Sequence, residues 1–288
     1  MDTMIRATDK DLTFRLFAVK TTDLVEEARK MHETLPTATA AIGRLLTIGL
    51  MMGYTMKNDH DKITVKLAGG GPLGNLLVTA DSKGHVKGYV QDANVDLPRK
   101  ENGKLDVGSA VGNKGEITVI KDIGMGEPYV GKSDIVTGEI AEDLALYYFL
   151  SEQTSSAIAA GVLVNPDETV KSAGGLILQP LPNCPQEKII ELEQFFKEFK
   201  NVSETFASND STADIMLKLF EKFDIKINEE IAVKYKCDCS EDRIEKVLIA
   251  MGREELETII NEDTGAEVNC QFCNKNYQFT TDDLKKLL

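Results

Sequence analysis

Two cysteine pairs near one end of the chain limit what that end can fold into more than any other feature does. The stretch KYKCDCSEDR places Cys237 and Cys239 one residue apart, NCQFCNKNY places Cys270 and Cys273 two residues apart, and thirty residues separate the pairs. Such an arrangement can hold a metal, exchange disulfides, or do each in turn. A structural zinc site wants four soft ligands in a tetrahedron, with the thiolates deprotonated. A C-x-x-C turn aims two sulfurs at one centre, and cysteines at i and i+2 of an extended segment project to the same side. The three histidines, His32, His60 and His85, lie far upstream. The economical site is therefore Cys237, Cys239, Cys270 and Cys273 around one Zn2+. The bland alternative is four free buried thiols, which makes the double pairing a coincidence.

Metal would couple to folding here. The segment after about Ala232 has few large apolar residues, and structural zinc contributes an apparent ~10–16 kcal/mol in small zinc-finger peptides. Oxidation of the sulfurs can expel a metal, and either pair could then close on itself, because both spacings can bring Cα atoms within about 7 Å. The residues thus permit a switch that is zinc-bound and folded when reduced, metal-free and unfolded when oxidised. They do not require one, and from spacing alone a purely structural zinc site stands ahead.

With 288 residues, 42% hydrophobic and 28% charged, the chain has an ordinary soluble composition and enough apolar content for one or two domains. A formal charge of −14 repels phosphate backbones unless a local basic patch offsets it, and no run of Lys and Arg supplies one. The opening MDTMIRATDKDLTFRLF has no apolar signal-peptide region or cleavage site. Arg44 interrupts the most apolar stretch, TATAAIGRLLTIGLMMGYTM, so a buried helix is expected there rather than a membrane span. These features predict a cytoplasmic protein, where thiols stay reduced and paired cysteines bind metal or do redox chemistry.

Residues 1–182 predict an α+β domain, helices on a largely antiparallel sheet. LTFRLFAV reads as an opening strand. TTDLVEEARKMHE reads as a helix capped by Thr22, with Leu24, Val25, Ala28 and Met31 on one face. A second helix runs from Pro36 to about Met56, its Gly43, Gly49 and Gly53 costing helix stability but permitting close packing. KITVKLA, GNLLVTAD, HVKGYV and GEITVIKDI are strand-like, with a turn at DSKG. LAGGGPLGN lacks the Gly-Lys-Ser/Thr ending of a phosphate loop and reads as a hairpin turn. Ile140, Leu144, Tyr147 and Tyr148 share one face of a further helix, and SAIAAGVLVNPDETVKSAGGLILQPLP reads as a hairpin.

Residues 183–231 predict a helical linker with two apolar stripes. Ile189, Leu192, Phe195, Phe196 and Phe199 form the first, and Met216, Leu219, Phe220 and Phe223 the second, behind a capping box at Ser211 and Asp214. The bland reading is ordinary packing; the sharper one is a stripe that can be covered or uncovered. Residues 232–288 predict a small domain. Ser240 caps a helix carrying Ile244, Val247, Leu248 and Met251, Gly252 ends it, and a second helix, a hairpin around the second cysteine pair and a terminal helix follow. Cys184, in the proline-flanked turn LPNCPQ, reads as an ordinary thiol, and no Ser/His/Asp or Cys/His arrangement can be placed.

The stretch CDCSEDRIEKVLIAMGREELETII…GAEVNCQFCNKNYQF closely resembles the C-terminal zinc domain of the 33 kDa chaperonin family, the redox-regulated heat shock protein 33 holdases. The shared pattern is C-x-C, about thirty residues, then C-x-x-C, with Ser after the first pair and Tyr-x-Phe after the second. GGGPLGNLLVTAD, YYFLSEQTSSAIAAGVLV and AGGLILQPLP look like that family's core segments, so the resemblance spans essentially the whole chain. It implies a chaperone rather than an enzyme. The reduced form of such proteins binds one zinc through all four cysteines and is largely inactive. Oxidants release the zinc and form neighbouring disulfides, here Cys237–Cys239 and Cys270–Cys273. The zinc domain then unfolds, the linker loosens, and apolar surface meets unfolding clients without ATP, in a form that dimerises. On this reading the nine linker-stripe residues are candidates for the client-binding surface.

Two other classes compete. A zinc ribbon for nucleic acid brings clustered Lys and Arg near its metal. Here the segment between the pairs carries Glu241, Asp242, Glu245, Glu254, Glu255, Glu257, Glu262, Asp263 and Glu267 against Arg243, Lys246 and Arg253. A thiol-disulfide oxidoreductase using Cys270 and Cys273 would need a thioredoxin-like βαβ context, which the sequence does not offer.

Overall fold

Strand-forming runs fill most of the chain before the cysteine pairs. β1 (Thr3–Asp9) and β2 (Phe14–Lys20) come first, then α1 (Thr22–His32), α2 (Pro36–Tyr54), β3 (Lys62–Ala68), β4 (Asn75–Asp81) and β5 (His85–Val90). After α3 (Val107–Val111) follow β6 (Glu116–Asp122), β7 (Tyr129–Asp134), α4 (Ile140–Ser151), β8 (Ala157–Val164) and β9 (Val170–Pro180). Next come α5 (Gln186–Glu198), α6 (Val202–Thr205), α7 (Thr212–Leu219), β10 (Ile225–Ala232) and β11 (Lys234–Tyr235). The end of the chain holds α8 (Glu241–Met251), α9 (Arg253–Asn261), β12 (Ala266–Asn269), β13 (Asn276–Phe279) and α10 (Thr281–Lys285). This computed structural model describes residues 1–124, 126–199, 201–262 and 265–288. The chain divides into two units, Met1–Tyr235 and Lys236–Leu288.

The first unit holds two sheets, ordered β10-β1-β2-β9-β8 and β11-β5-β4-β3-β6-β7. Within them neighbours pair antiparallel, except β11, which runs parallel to β5. α2 packs against strands of both sheets. Every residue from Thr37 to Gly53 is buried except Arg44, and a helix apolar all round belongs in a core. Its glycines are contact points. A methyl at Gly43 would lie 2.7 Å from Val25 and 2.9 Å from Val162, and one at Gly49 would lie 2.8 Å from Val78. The helix-propensity cost is thus offset by close approach to β4 and β8. Arg44 reaches Glu139 at 2.9 Å. Among the described residues no helix is long and apolar enough to cross a membrane.

The turns follow the local chemistry. Asp81 accepts from the N–H groups of Lys83 and His85 between β4 and β5, an Asx turn closed by Gly84 at φ 80. The glycine-rich loop joins β3 to β4.

Several elements differ from the sequence expectation. The strand expected to open the chain is β2, preceded by β1, whose Met4, Ile5 and Ala7 are fully buried; it shows no clean alternation because both its faces are covered. Thr22 is the first residue of α1 and not its cap. Thr21 precedes the helix without a side-chain cap bond, and Asp2 instead accepts from the Leu24 N–H at 2.8 Å. α3 is too short for a period, and β7 buries only Gly131. The segment expected as a helical linker also contains β10, which pairs along β1.

α1 is tied to β9 by one carboxylate. Glu26 pairs with Arg29 at 2.8 Å and accepts from the Val170 N–H at 2.9 Å. The Arg29 hydrogen bond, against an opposing burial cost, holds the Glu26 carboxyl at about 2, below its usual 4.5. Its stabilisation is present above the unfolded value and lost as pH falls through the folded one. Glu26→Gln is therefore expected to cost about 2 kcal/mol near neutral pH, shrinking as pH falls from 4.5 towards 2. Urea midpoints that match the parent at neutral pH would contradict it.

Candidate functional site

The second unit has a small core: Leu248, Leu256, Cys270, Tyr277, Phe279 and Leu284 are buried. α8 begins as its sequence predicts. Ser240 accepts from the Arg243 N–H at the start of α8, and Thr280 with Asp283 forms a capping box on α10. Arg243 also donates to the Asp238 carbonyl at 3.0 Å and pairs with the Asp238 carboxylate, bracing the segment between the first two cysteines. β12 and β13 form the hairpin around the second pair. In its turn, the Cys270 carbonyl accepts from the N–H groups of Cys273 at 3.1 Å and Asn274 at 2.8 Å, while the Cys270 N–H donates to Lys275 at 3.0 Å.

The hairpin turn and the segment before α8 bring all four cysteines together. Their sulfurs lie within 4.8 Å of one another, with Cys237–Cys270 at 3.7 Å and Cys239–Cys273 at 3.3 Å. All five cysteines of the chain are free thiols. A disulfide would place two sulfurs about 2 Å apart, whereas a tetrahedral thiolate site with metal–sulfur bonds of about 2.3 Å separates them by roughly 3.8 Å. The donor chemistry and spacing fit a soft or borderline metal ion. The three histidines all belong to the first unit, where His85 pairs with Asp81 and His32 contacts Tyr235.

The sulfurs are not equivalent. Burial pushes the Cys237 thiol well up and Cys273 up to about 11. Burial acts in the same direction on Cys239, but the Tyr277 hydroxyl, donating to its Sγ at 3.1 Å, and the neighbouring sulfurs outweigh it and bring it down to about 7. Tyr277 stood in the sequence only as part of the Tyr-x-Phe pattern; its role needs the β12–β13 register, which turns its ring inward. Of the bases between the pairs, Arg243 and Arg253 are held by Asp238 and Glu257. Asp263 lies outside the described residues.

The linker stripes lie in the first unit. Leu192, Met216, Phe220 and Phe223 are buried there, and Phe195, Phe196, Phe199 and Leu219 are partly buried against the same core, on the face of β1, β2 and β9 bearing Ile5, Phe14, Leu16 and Leu178. The two stripes meet in one aromatic cluster. Phe195 stands 4.8 Å from Phe220 and 5.5 Å from Phe223, which lies 6.0 Å from Phe14. The ammonium groups of Lys188 and Lys222 sit 4.9 and 4.7 Å over the Phe223 ring. Ile189 is apart from the cluster, lining a cavity of about 670 Å³ with Leu178, Pro180 and Phe196. The stripe analysis missed Phe206, which is fully buried and packs so closely on Gly174 that a methyl there would lie 2.4 Å from the ring. It sits outside any long helical period.

Comparison with known proteins places this arrangement. The family model described as Hsp33 protein matches residues 2–280. The chain belongs to the Hsp33 family. Members named 33 kDa chaperonin include that of Lachnoclostridium phytofermentans, 45% identical over 100% of this chain and 98% of the relative. That of Alkaliphilus metalliredigens is 46% identical over 99% of this chain and 98% of the relative. The crystal structure of the 33 kDa chaperonin of Thermotoga maritima superposes with a TM-score of 0.88 at 33% identity, covering 99% of this chain and 97% of that one. The expected class, mixed helix and sheet with four cysteines gathered near the end of the chain, matches the Hsp33 structure, and the chain is a chaperone of that family.

Proposed function

We propose that this chaperone is an ATP-independent holdase, kept inactive by one Zn2+ on Cys237, Cys239, Cys270 and Cys273 and switched on by oxidation. The observation that carries the reading is four thiols within 4.8 Å of one another in a unit whose core they help to fill. Zn2+ bound there would supply a cross-link between the segment before α8 and the β12–β13 turn. Peroxide consumes that cross-link's donors. Each pair of thiolates gives up two electrons, each H2O2 takes them up with two protons from solvent and becomes two waters, and Cys237–Cys239 and Cys270–Cys273 become disulfides. Disulfide sulfurs are poor metal donors. Residues 236–288 then keep a core too small to hold them folded.

The same reading makes residues 183–231 a releasable linker and 232–288 the redox domain. Freed from their sheet, the stripes of α5 and α7 would offer Leu192, Phe195, Phe196, Phe199 and Phe220 to unfolding clients, with Ile189, Met216, Leu219 and Phe223 beside them. The surplus of acids keeps such a complex in solution. A cytoplasmic location, a homodimeric active form and an absence of nucleic-acid and membrane partners complete the proposal. The acidic helices α8 and α9 support the nucleic-acid part of it.

The test follows zinc and client together. Zinc-loaded protein is treated with peroxide at raised temperature, released zinc is read with a chromophoric chelator, and light scattering of a heat-unfolding enzyme is recorded. Zinc should leave, and only the oxidised sample should suppress aggregation. If reduced and oxidised samples behave alike, the four cysteines are structural and the switch falls.

A further inference from the structure

We propose that the Tyr277 hydroxyl is a brake on the switch: it hydrogen-bonds the Cys239 sulfur, lowers its nucleophilicity towards peroxide, and so sets the rate of metal release. The inference rests on the zinc-switch reading above and adds a positioning residue to it.

The geometry singles out one sulfur. Cys237 faces Cys270 at 3.7 Å and Cys239 faces Cys273 at 3.3 Å. Cys239 takes a side-chain hydroxyl, Tyr277 Oη donating at 3.1 Å. The hydroxyl is well held. Tyr277 pairs with Val268 across the β12–β13 hairpin, is 6% exposed, and carries the Lys275 ammonium 4.8 Å over its ring. A cation over a phenol draws electron density from it, which makes the O–H a better donor.

A hydrogen bond to a thiolate stabilises it and reduces its reactivity, because nucleophilicity falls with basicity. In the first oxidation step the Cys239 thiolate attacks one oxygen of H2O2. The O–O bond breaks, hydroxide leaves and takes up a proton, and a sulfenic acid forms. Attack by the Cys237 thiol then forms the S–S bond and releases water. The first of these steps weakens the Tyr277 hydrogen bond, since forming the S–O bond draws electron density from the sulfur that accepts it.

Tyr277→Phe keeps the ring and removes only the hydroxyl. Zinc-loaded parent and variant are treated with peroxide, zinc release is followed with a chromophoric chelator, and samples quenched with an alkylating reagent are mapped cysteine by cysteine by mass spectrometry. The variant should release zinc roughly 3- to 10-fold faster, bind it about tenfold more weakly in chelator competition, and lose the Cys239 thiol earlier relative to the other three. Lys275→Gln, which keeps both ring and hydroxyl, should accelerate release less. A merely structural tyrosine would not change which sulfur reacts first. Release from the parent with an unchanged rate and order in Tyr277→Phe overturns the brake alone. A variant that no longer takes one zinc per chain also overturns it, by making the hydroxyl part of the fold. No release from the parent overturns the switch reading and the brake together.

Discussion

Cys270→Ser should remove tight zinc binding and unfold residues 236–288. Cys270 is the most buried of the four cysteines, 9% exposed, and both its backbone groups are engaged in the turn before β13. Serine preserves those backbone bonds and removes only the soft donor. A hydroxyl does not ionise near neutral pH, so three thiolates remain and the tetrahedron opens. The unit has six buried core residues, one of them Cys270 itself. Without the ~10–16 kcal/mol that structural zinc contributes in comparable small modules, so small a core falls short of the conformational entropy. Zinc per chain measured by chelator competition should fall below one, and limited proteolysis should trim the chain back towards Tyr235. Unchanged zinc affinity with an unchanged melting profile would sink this expectation.

Phe220→Ala has the second largest expected effect. Phe220 is fully buried, its ring 4.8 Å from Phe195 and 5.8 Å from Phe223. Truncation leaves a cavity between α5, α7 and the sheet, and such losses cost about 3–5 kcal/mol. The cost falls on contacts between the linker helices and β1, β2 and β9, so α5 to α7 should become protease-sensitive before the rest of the first unit. Under the proposed function a second result follows: reduced, zinc-loaded Phe220→Ala should suppress aggregation of a heat-unfolding client without peroxide. Destabilisation with no gain in the reduced state would leave the packing account intact and remove these helices from the client-binding surface.

Local pattern carried far in this chain. Ser240 and Ser211 cap the helices their sequences announce, each accepting from the N–H three residues on. Lys62–Ala68 alternates burial along its length as its sequence alternates polarity. The cysteine spacing by itself named the four residues whose sulfurs meet, because a C-x-x-C turn and an extended C-x-C leave few other places for two sulfurs to point. The pattern failed where burial comes from both sides, as in β1, or hardly at all, as in β7.

The chain's sequence thus determined its elements, their caps and the metal-type cysteine set, all properties of residues within a turn or two of each other. Only the tertiary structure decided that the two linker stripes merge over one sheet face, that β10 leaves the linker to pair with β1, and that the Tyr277 hydroxyl selects Cys239. Those contacts join residues far apart in the chain, as where Thr3 meets Thr212 across 209 positions. No helical or strand period reports such a meeting, because it depends on how whole elements stack to bury apolar area and on which polar groups that stacking leaves within reach.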